Sequence, residues 1–154
     1  STGGVLMTKC LRAQDLAKFF PNEIDFNPSS VREDEAYVAC DQLVEACRLL
    51  KETPGLDMDY LVSITGVDYI ENFEVVYHLL SLSNNHSFVL KVNVFDRESP
   101  TVPSLTDLWM GARLQEREVW DLMGITFSGH GNLKRILTWE GFPGHPLRRD
   151  FLGG

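Results

Sequence analysis

The chain has 154 residues, 22 of them acidic and 14 basic for a net charge of −8, and is 44% hydrophobic. That length and apolar content suit one domain with a real core and exclude a disordered polypeptide, while the acidic balance excludes nucleic acid, whose phosphates need concentrated Lys and Arg. No apolar run approaches bilayer-spanning length, and the STGG start followed by VLM lacks a basic, signal-like pattern, so a soluble chain is expected.

In chain order, Cys10, Ala13, Ala17 and Phe20 recur at helical spacing ahead of Pro21, which predicts a short amphipathic helix from Thr8 to Phe20. NEIDFNPSSVRED is rich in turn formers and acids and reads as a loop, and EAYVAC has the composition of a strand. Asp41 is placed to cap a helix over Gln42 to Lys51, with Leu43, Ala46, Cys47 and Leu50 on one face and Pro54-Gly55 closing it. A strand from Tyr60 to Thr65 follows. FEVVYHLLSL and FVLKVNVF, separated by the polar turn SNNHS, complete a three-stranded antiparallel meander from Tyr60 to Phe95. In the last of these, Phe88, Leu90, Val92 and Val94 alternate with Lys91 and Asn93, so one face is apolar and the other partly wet. The fold expected is α+β, two layers, with a mixed, mostly antiparallel sheet, helices on one face and an irregular C-terminal extension.

After the loop DRESPTVPS, Ser104 and Asp107 form a capping-box-like pair and Gly124 supplies a left-handed stop, which predicts a helix over most of Ser104 to Gly124. Leu105, Trp109, Ala112, Val119, Trp120 and Met123 share one face, and Glu116 lies near its middle. A carboxylate in an apolar face needs a partner. Arg113 and Arg117 are the nearest guanidinium groups, and an ion pair with one of them is the expected explanation, with a face packed on another protein, or a general acid or base of raised pKa, as the alternatives.

Charge is uneven along the chain. Residues 1 to 133 carry 10 basic and 20 acidic side chains and residues 134 to 154 carry 4 and 2, a body of −10 and a tail of +2. The tail TWEGFPGHPLRRDFLGG has no periodicity yet carries Trp139, Phe142 and Phe151. Aromatic side chains on an irregular segment need a surface to lie on, and the partner's surface is preferred over the chain's own sheet. The division expected is a domain over 1–137 and an extended docking tail over 138–154, with Arg148, Arg149 and Asp150 forming docking ion pairs.

The sequence contains neither a Walker lysine motif nor a dinucleotide GxGxxG, and no GxSxG elbow. Cys10, Cys40 and Cys47 are odd in number, and their spacing fits neither a zinc knuckle nor an iron-sulfur ligand run. No cofactor, no metal and no catalytic residue is therefore expected in this chain. A reading of another class makes it a free-standing metallohydrolase with His130, His145 and Asp121 or Asp150 as ligands. Both histidines sit beside Gly or Pro in turn-like contexts, which favours hydrogen bonds to the backbone instead. His78 and His86 read as structural or solvated.

QEREVWDLMGITFSGH, then NLKRIL, then GHPLRRDF resemble the thirty-kilodalton, or C-type, subunit family of respiratory complex I, the NADH:quinone oxidoreductase. The matching positions are Glu116, Arg117, Glu118, Asp121, Leu122, Gly124, Ile125, Gly129, His130, Arg135, Ile136, Leu137, His145, Pro146, Leu147, Arg148 and Asp150. Gly131 departs from the pattern, the family usually having proline there. LVSITGVDY, FEVVYHLLSL and VPSLTDLW extend the likeness over roughly residues 35 to 152. The resemblance implies a cofactor-free structural and assembly role in the hydrophilic arm of a proton-pumping enzyme. It also implies packing against the D-type polypeptide of that arm near the quinone-reducing end, within a hetero-oligomer. NADH, flavin, iron-sulfur clusters and quinone would then sit on partner subunits. The membrane would be reached only through the complex, on the cytoplasmic face of the cell membrane or the matrix side of a mitochondrial one. Equivalent subunits of a membrane-bound nickel-iron hydrogenase or of a photosynthetic ferredoxin-accepting complex share the signature and form the nearest alternative.

Overall fold

A computed structural model describes residues 9–130 and 144–149. Its centre is the meander read from the alternating sequence: β4 (Tyr60–Asp68), β5 (Phe73–Ser81) and β6 (His86–Val94), antiparallel throughout. The register Phe73↔Val94, Val75↔Val92, Tyr77↔Leu90 and Leu79↔Phe88 puts every large apolar side chain of these pairs on one face. On the other face Lys91 lies between Glu35 and Glu74, at 3.2 and 3.5 Å, and the Tyr37 hydroxyl donates to Glu74.

Beyond β6 the sheet turns mixed. The strand β3 (Glu35–Val38) pairs parallel to β6, and β2 (Phe26–Pro28) adds antiparallel to β3 at the edge. The stretch read as a loop thus contains a strand. Three residues that include Asn27 and Pro28 have no intrinsic β preference, and β2 exists because β3 offers it a partner, with Pro28 tolerated at an edge. The expected helix from Thr8 is likewise shorter: Lys9–Cys10 (β1) pairs parallel with the start of β6, and helix begins only with α1 (Ala13–Leu16), continued by a 3₁₀ turn over Ala17–Phe19. The ladder with β6 captures residues that periodicity alone assigns to a helix.

The second helix, α2 (Leu43–Glu52), buries Leu43, Ala46, Cys47 and Leu50 as the spacing predicts. Asp41 does not cap it, because Cys40–Gln42 form a 3₁₀ turn and no side chain bonds the first free amides. The third helix, α3 (Ala112–Met123), starts eight residues later than the capping-box reading places it. The Leu105 carbonyl accepts from the amides of Leu108 and Trp109 in one isolated turn, and a second segment begins after Gly111. Helices α2 and α3 share one buried cluster with the inward side chains of β4, β5 and β6, the two-layer α+β arrangement expected. A small parallel pair, β7 (Thr101–Pro103) with β8 (Thr126–Ser128), ties the segment entering α3 to the segment leaving it. The expected boundary between residues 137 and 138 lies outside the described residues.

Candidate functional site

Glu116 is buried, with 0% exposure, as its position in the apolar face requires. Its partners are not arginines. One carboxylate oxygen accepts the Ser104 hydroxyl at 2.6 Å and the other accepts the Leu105 amide at 2.7 Å. The residue that sequence pattern makes a helix cap is thus the ligand of a carboxylate twelve positions on. The Leu105 amide heads an isolated turn with no intrahelical acceptor, and a buried donor of that kind must be satisfied. Burial raises the Glu116 pKa, while the Leu105 amide, the Ser104 hydroxyl and the nearby His130 pull it back. Arg117 makes no ion pair with Glu116, and its Nε is buried without a hydrogen-bond partner.

The second half of the signature lies on the C-terminal end of α3. Gly124 ends the helix at φ +75°, its amide donating to the Trp120 carbonyl at 2.8 Å. A Cβ there would lie 2.7 Å from His145 Cδ2, so glycine is demanded by both the left-handed backbone and the imidazole packed on it. His145 Nδ1 lies 2.7 Å from the Asp121 carbonyl oxygen, and its ring meets Trp120 edge-on at 6.1 Å. A carbonyl can only accept, so Nδ1 carries the hydrogen. The same argument gives His130 a hydrogen on Nε2, which donates to the Arg113 carbonyl at 2.9 Å. Both histidines are thus bonded to backbone, as their turn-like contexts predict. Among the described residues no group of three or more His, Cys, Asp and Glu side chains is placed to hold a metal.

The described part of the tail lies on the chain's own body. The Leu147 amide donates to the Leu122 carbonyl at 2.9 Å, and Pro146 is half-buried beside it. Arg149 donates from its amide to Asp68 Oδ2 at 2.7 Å and from Nε to the Asp68 carbonyl at 2.6 Å. Asp68 also takes a two-pronged bond from Arg97 at 2.6 and 3.1 Å, and the Ile70 amide at 2.8 Å. Arg148 donates to the Arg97 carbonyl, and both guanidinium groups stack over the Phe73 ring. Arg148 and Arg149, expected as docking residues, thus each place one side-chain bond on the chain's own body, Arg148 on the Arg97 carbonyl and Arg149 on the Asp68 carbonyl. The Arg97 guanidinium holds the Asp68 carboxyl well below the usual range, with the Arg149 and Ile70 amides helping against the opposing effect of burial. Sequence reasoning missed Asp68 and Arg97, and it read Ser104 as a helix cap where the structure makes it a donor to Glu116. Asp68 sits within LVSITGVDY, but apart from the Ile70 amide its partners are 29 and 81 residues away, beyond the reach of a local pattern.

Arg135, Trp139 and Asp150 lie outside the described residues. Glu118 is half-buried on the flank of α3. The signature residues that are described, from Glu116 to Arg149, thus converge on one structure: α3, the turn before it and the tail root behind it.

Residues 36–154 match the family described as "Respiratory-chain NADH dehydrogenase, 30 Kd subunit". The chain belongs to that family. A curated relative, the C-type subunit of NADH-quinone oxidoreductase from Roseiflexus castenholzii, is 49% identical over 117 residues, which cover 74% of this chain and 67% of the relative. The corresponding subunit from Moorella thermoacetica is 46% identical over 144 residues, covering 90% and 91%. Among solved structures, the chain is similar to a trypsin-resistant fragment (1-134) of Nqo5, with a TM-score of 0.62, 30% identity and coverage of 78% of this chain and 97% of that one. It is also similar to a chain of the membrane-bound sulfane sulfur reductase, an archaeal respiratory membrane complex, with a TM-score of 0.67, 28% identity and coverage of 90% and 81%. The 30 kDa signature therefore has a physical content in this member: it fastens α3 to the turn before it and to the tail behind it.

Proposed function

We propose that this chain is a cofactor-free structural and assembly subunit of a proton-translocating NADH:quinone oxidoreductase, part of its hydrophilic arm, packed against the D-type polypeptide near the quinone-reducing end. One observation supports a structural over a catalytic role. Four polar groups of the signature stretch are engaged in holding the chain together: Glu116 by Ser104 and Leu105, His130 and His145 by carbonyls, and Arg149 by Asp68. A general acid or base must reach a reacting atom, and Glu116 is sealed under its own turn. The names of its relatives support the assembly as a hetero-oligomer. Among the described residues no helix is long and apolar enough to cross a membrane. In this reading the membrane is reached through partners, on the cytoplasmic or matrix face. Trp139, Phe142 and Phe151 supply the tail's contact with a partner, while residues 144–149 anchor its root.

A second reading within the same class has support in the likeness to a chain of the archaeal sulfane sulfur reductase: an equivalent subunit of another respiratory membrane complex. Purifying the endogenous protein with its partners and sequencing them separates the two. NADH- and flavin-binding subunits and NADH-dependent quinone reduction are expected; an assembly that lacks them supports the second reading, and a chain that purifies alone overturns both. The isolated chain is expected to be colourless, and stoichiometric iron or flavin in it overturns the cofactor-free role.

A further inference from the structure

Strand β4 is an edge of the main sheet, with β5 on one side and no described strand on the other. An edge strand presents alternate amides and carbonyls outward, and proteins that stay soluble usually block them. Two blocks are present. At a bulge between Leu61 and Ser63, the Gln115 side chain receives the Ile64 amide at 3.5 Å and donates to the Val62 carbonyl at 3.2 Å. At the far end, Arg149 donates to the Asp68 carbonyl. Because Ile64 and Asp68 both turn their backbone groups off the sheet, the two-residue period of a strand turns those of Gly66 the same way. Between the two blocks the Ile64 carbonyl and the Gly66 amide and carbonyl face outward with neither block reaching them.

A cleft of about 130 Å³ opens beside this window, bounded by Thr65, Gly66, Glu118, Val119, Leu122 and Leu147. Leu147 is 58% exposed, an unusual state for a leucine on a segment so firmly bonded on either side. Gly66 has no side chain to close the cleft, and one could be added only by displacing its neighbours: a Cβ would lie 3.1 Å from Met123 Cγ and 3.2 Å from Val119 Cγ1. Glu118 gives the rim a negative charge, with no cation in ion-pair distance among the described residues.

We propose that a partner polypeptide adds a short extended segment to the β4 edge at this window. Its main chain donates to the Ile64 and Gly66 carbonyls and accepts from the Gly66 amide, one aliphatic side chain fills the cleft against Leu122 and Leu147, and a basic side chain faces Glu118. An extended backbone is the occupant that fits, because it alone offers donors and acceptors at two-residue spacing, whereas a helix presents neither on its side. The blocks at Gln115 and Arg149 limit the added strand to the window, which makes the contact a register-setting one. This inference rests on the reading of the chain as part of a hetero-oligomer.

Hydrogen exchange of the full chain, alone and in the assembly purified from its host, tests it. The amides of Thr65 and Val67, bonded to β5, are expected to be protected in both states, and that of Gly66 to exchange fast in the isolated chain and at least about tenfold more slowly in the assembly. Equal rates in the two states, or a Gly66 amide already protected in an isolated chain that sediments as a dimer, would overturn the proposal. Leu147→Asp and, independently, Glu118→Lys are expected to leave the circular dichroism of the isolated chain unchanged and to lower its incorporation into the assembly severalfold; incorporation of both at the wild-type level overturns it. A host protein that purifies with no other polypeptide overturns the hetero-oligomer reading as well, whereas an assembly in which Gly66 stays fast overturns the strand addition alone.

Discussion

Asp68 and Glu116 are two carboxylates withdrawn from solvent in one small domain, and they are held by opposite kinds of partner. Asp68 meets a guanidinium fork and two backbone amides, and its pKa falls. Glu116 meets one hydroxyl and one amide, and burial wins, so its pKa rises. Burial alone does not decide the charge state of an acid; the number and charge of the donors that face it do. The two sites also do different structural work. Asp68 joins segments far apart in the chain, whereas Glu116 closes a turn twelve residues away.

The largest effect that would sharpen this contrast is expected from Asp68→Asn. The substitution keeps the shape but removes the charge facing Arg97 and the Arg149 amide, and breaking a buried ion pair costs about 3 kcal/mol or more. Chemical denaturation should show a lower midpoint at neutral pH, and limited trypsin digestion should cut after Arg148 or Arg149 faster. An unchanged midpoint would mean that Asp68 is no anchor. Glu116→Ala comes next. It strands the buried Leu105 amide and leaves a void, together about 2–3 kcal/mol, with a loss of near-ultraviolet signal from Trp109 as the turn loosens. If both variants unfolded identically at every pH, the distinction drawn between the sites would be wrong.

Gly124→Ala should cost about 1–2 kcal/mol from the left-handed backbone alone, and somewhat more because the methyl displaces His145. The midpoint should fall, with the His145 ring resonances losing their Trp120 ring-current shift. Retention of both would show that the helix end is softer than drawn.

Glu116→Gln should have the smallest effect, under about 1 kcal/mol, because an amide can still serve one of the two donors. Its pH dependence is the more telling measurement. Asp68 has a lowered pKa, so its stabilisation is complete above the ordinary aspartate value of 3.8 and is lost as pH falls through the lowered one. Glu116 has a raised pKa, so its contribution is complete below the ordinary glutamate value of 4.5 and is lost as pH rises through the raised one. The deficit of the Asn variant should therefore shrink in acid, while that of the Gln variant should shrink towards neutral pH. Denaturation midpoints across that range would show opposite slopes, and parallel slopes would break the comparison.

What the sequence made legible follows the range of the forces involved. The meander, the buried face of α2, the left-handed stop at Gly124 and the burial of Glu116 all depend on neighbours within about two turns or on strict alternation, and each was readable. The partner of Glu116 was not, because a local capping pattern at Ser104 competes with a bond to a residue twelve positions on, and the helix begins only at Ala112. The short strands β1 and β2 are poor in strand formers, and β7 and β8, three residues each, are too short for their Thr, Val and Phe to show a pattern, so all four depend on their neighbours. The order of the signature blocks pointed to the family, yet not to the fact that Gly124 and His145 touch.

The contact between Arg149 and Asp68 also fixes a sequence of events during synthesis. The residue that closes the clip is 81 positions downstream of the one that receives it, so it leaves the ribosome when the sheet and α3 are already made. Docking of the tail root is then the final step among these intramolecular contacts. It can occur only on a body whose strand β4 and helix end are in place, so a docked root reports that both have formed. Chains released from the ribosome after Arg148 should accordingly carry a folded body with an undocked root.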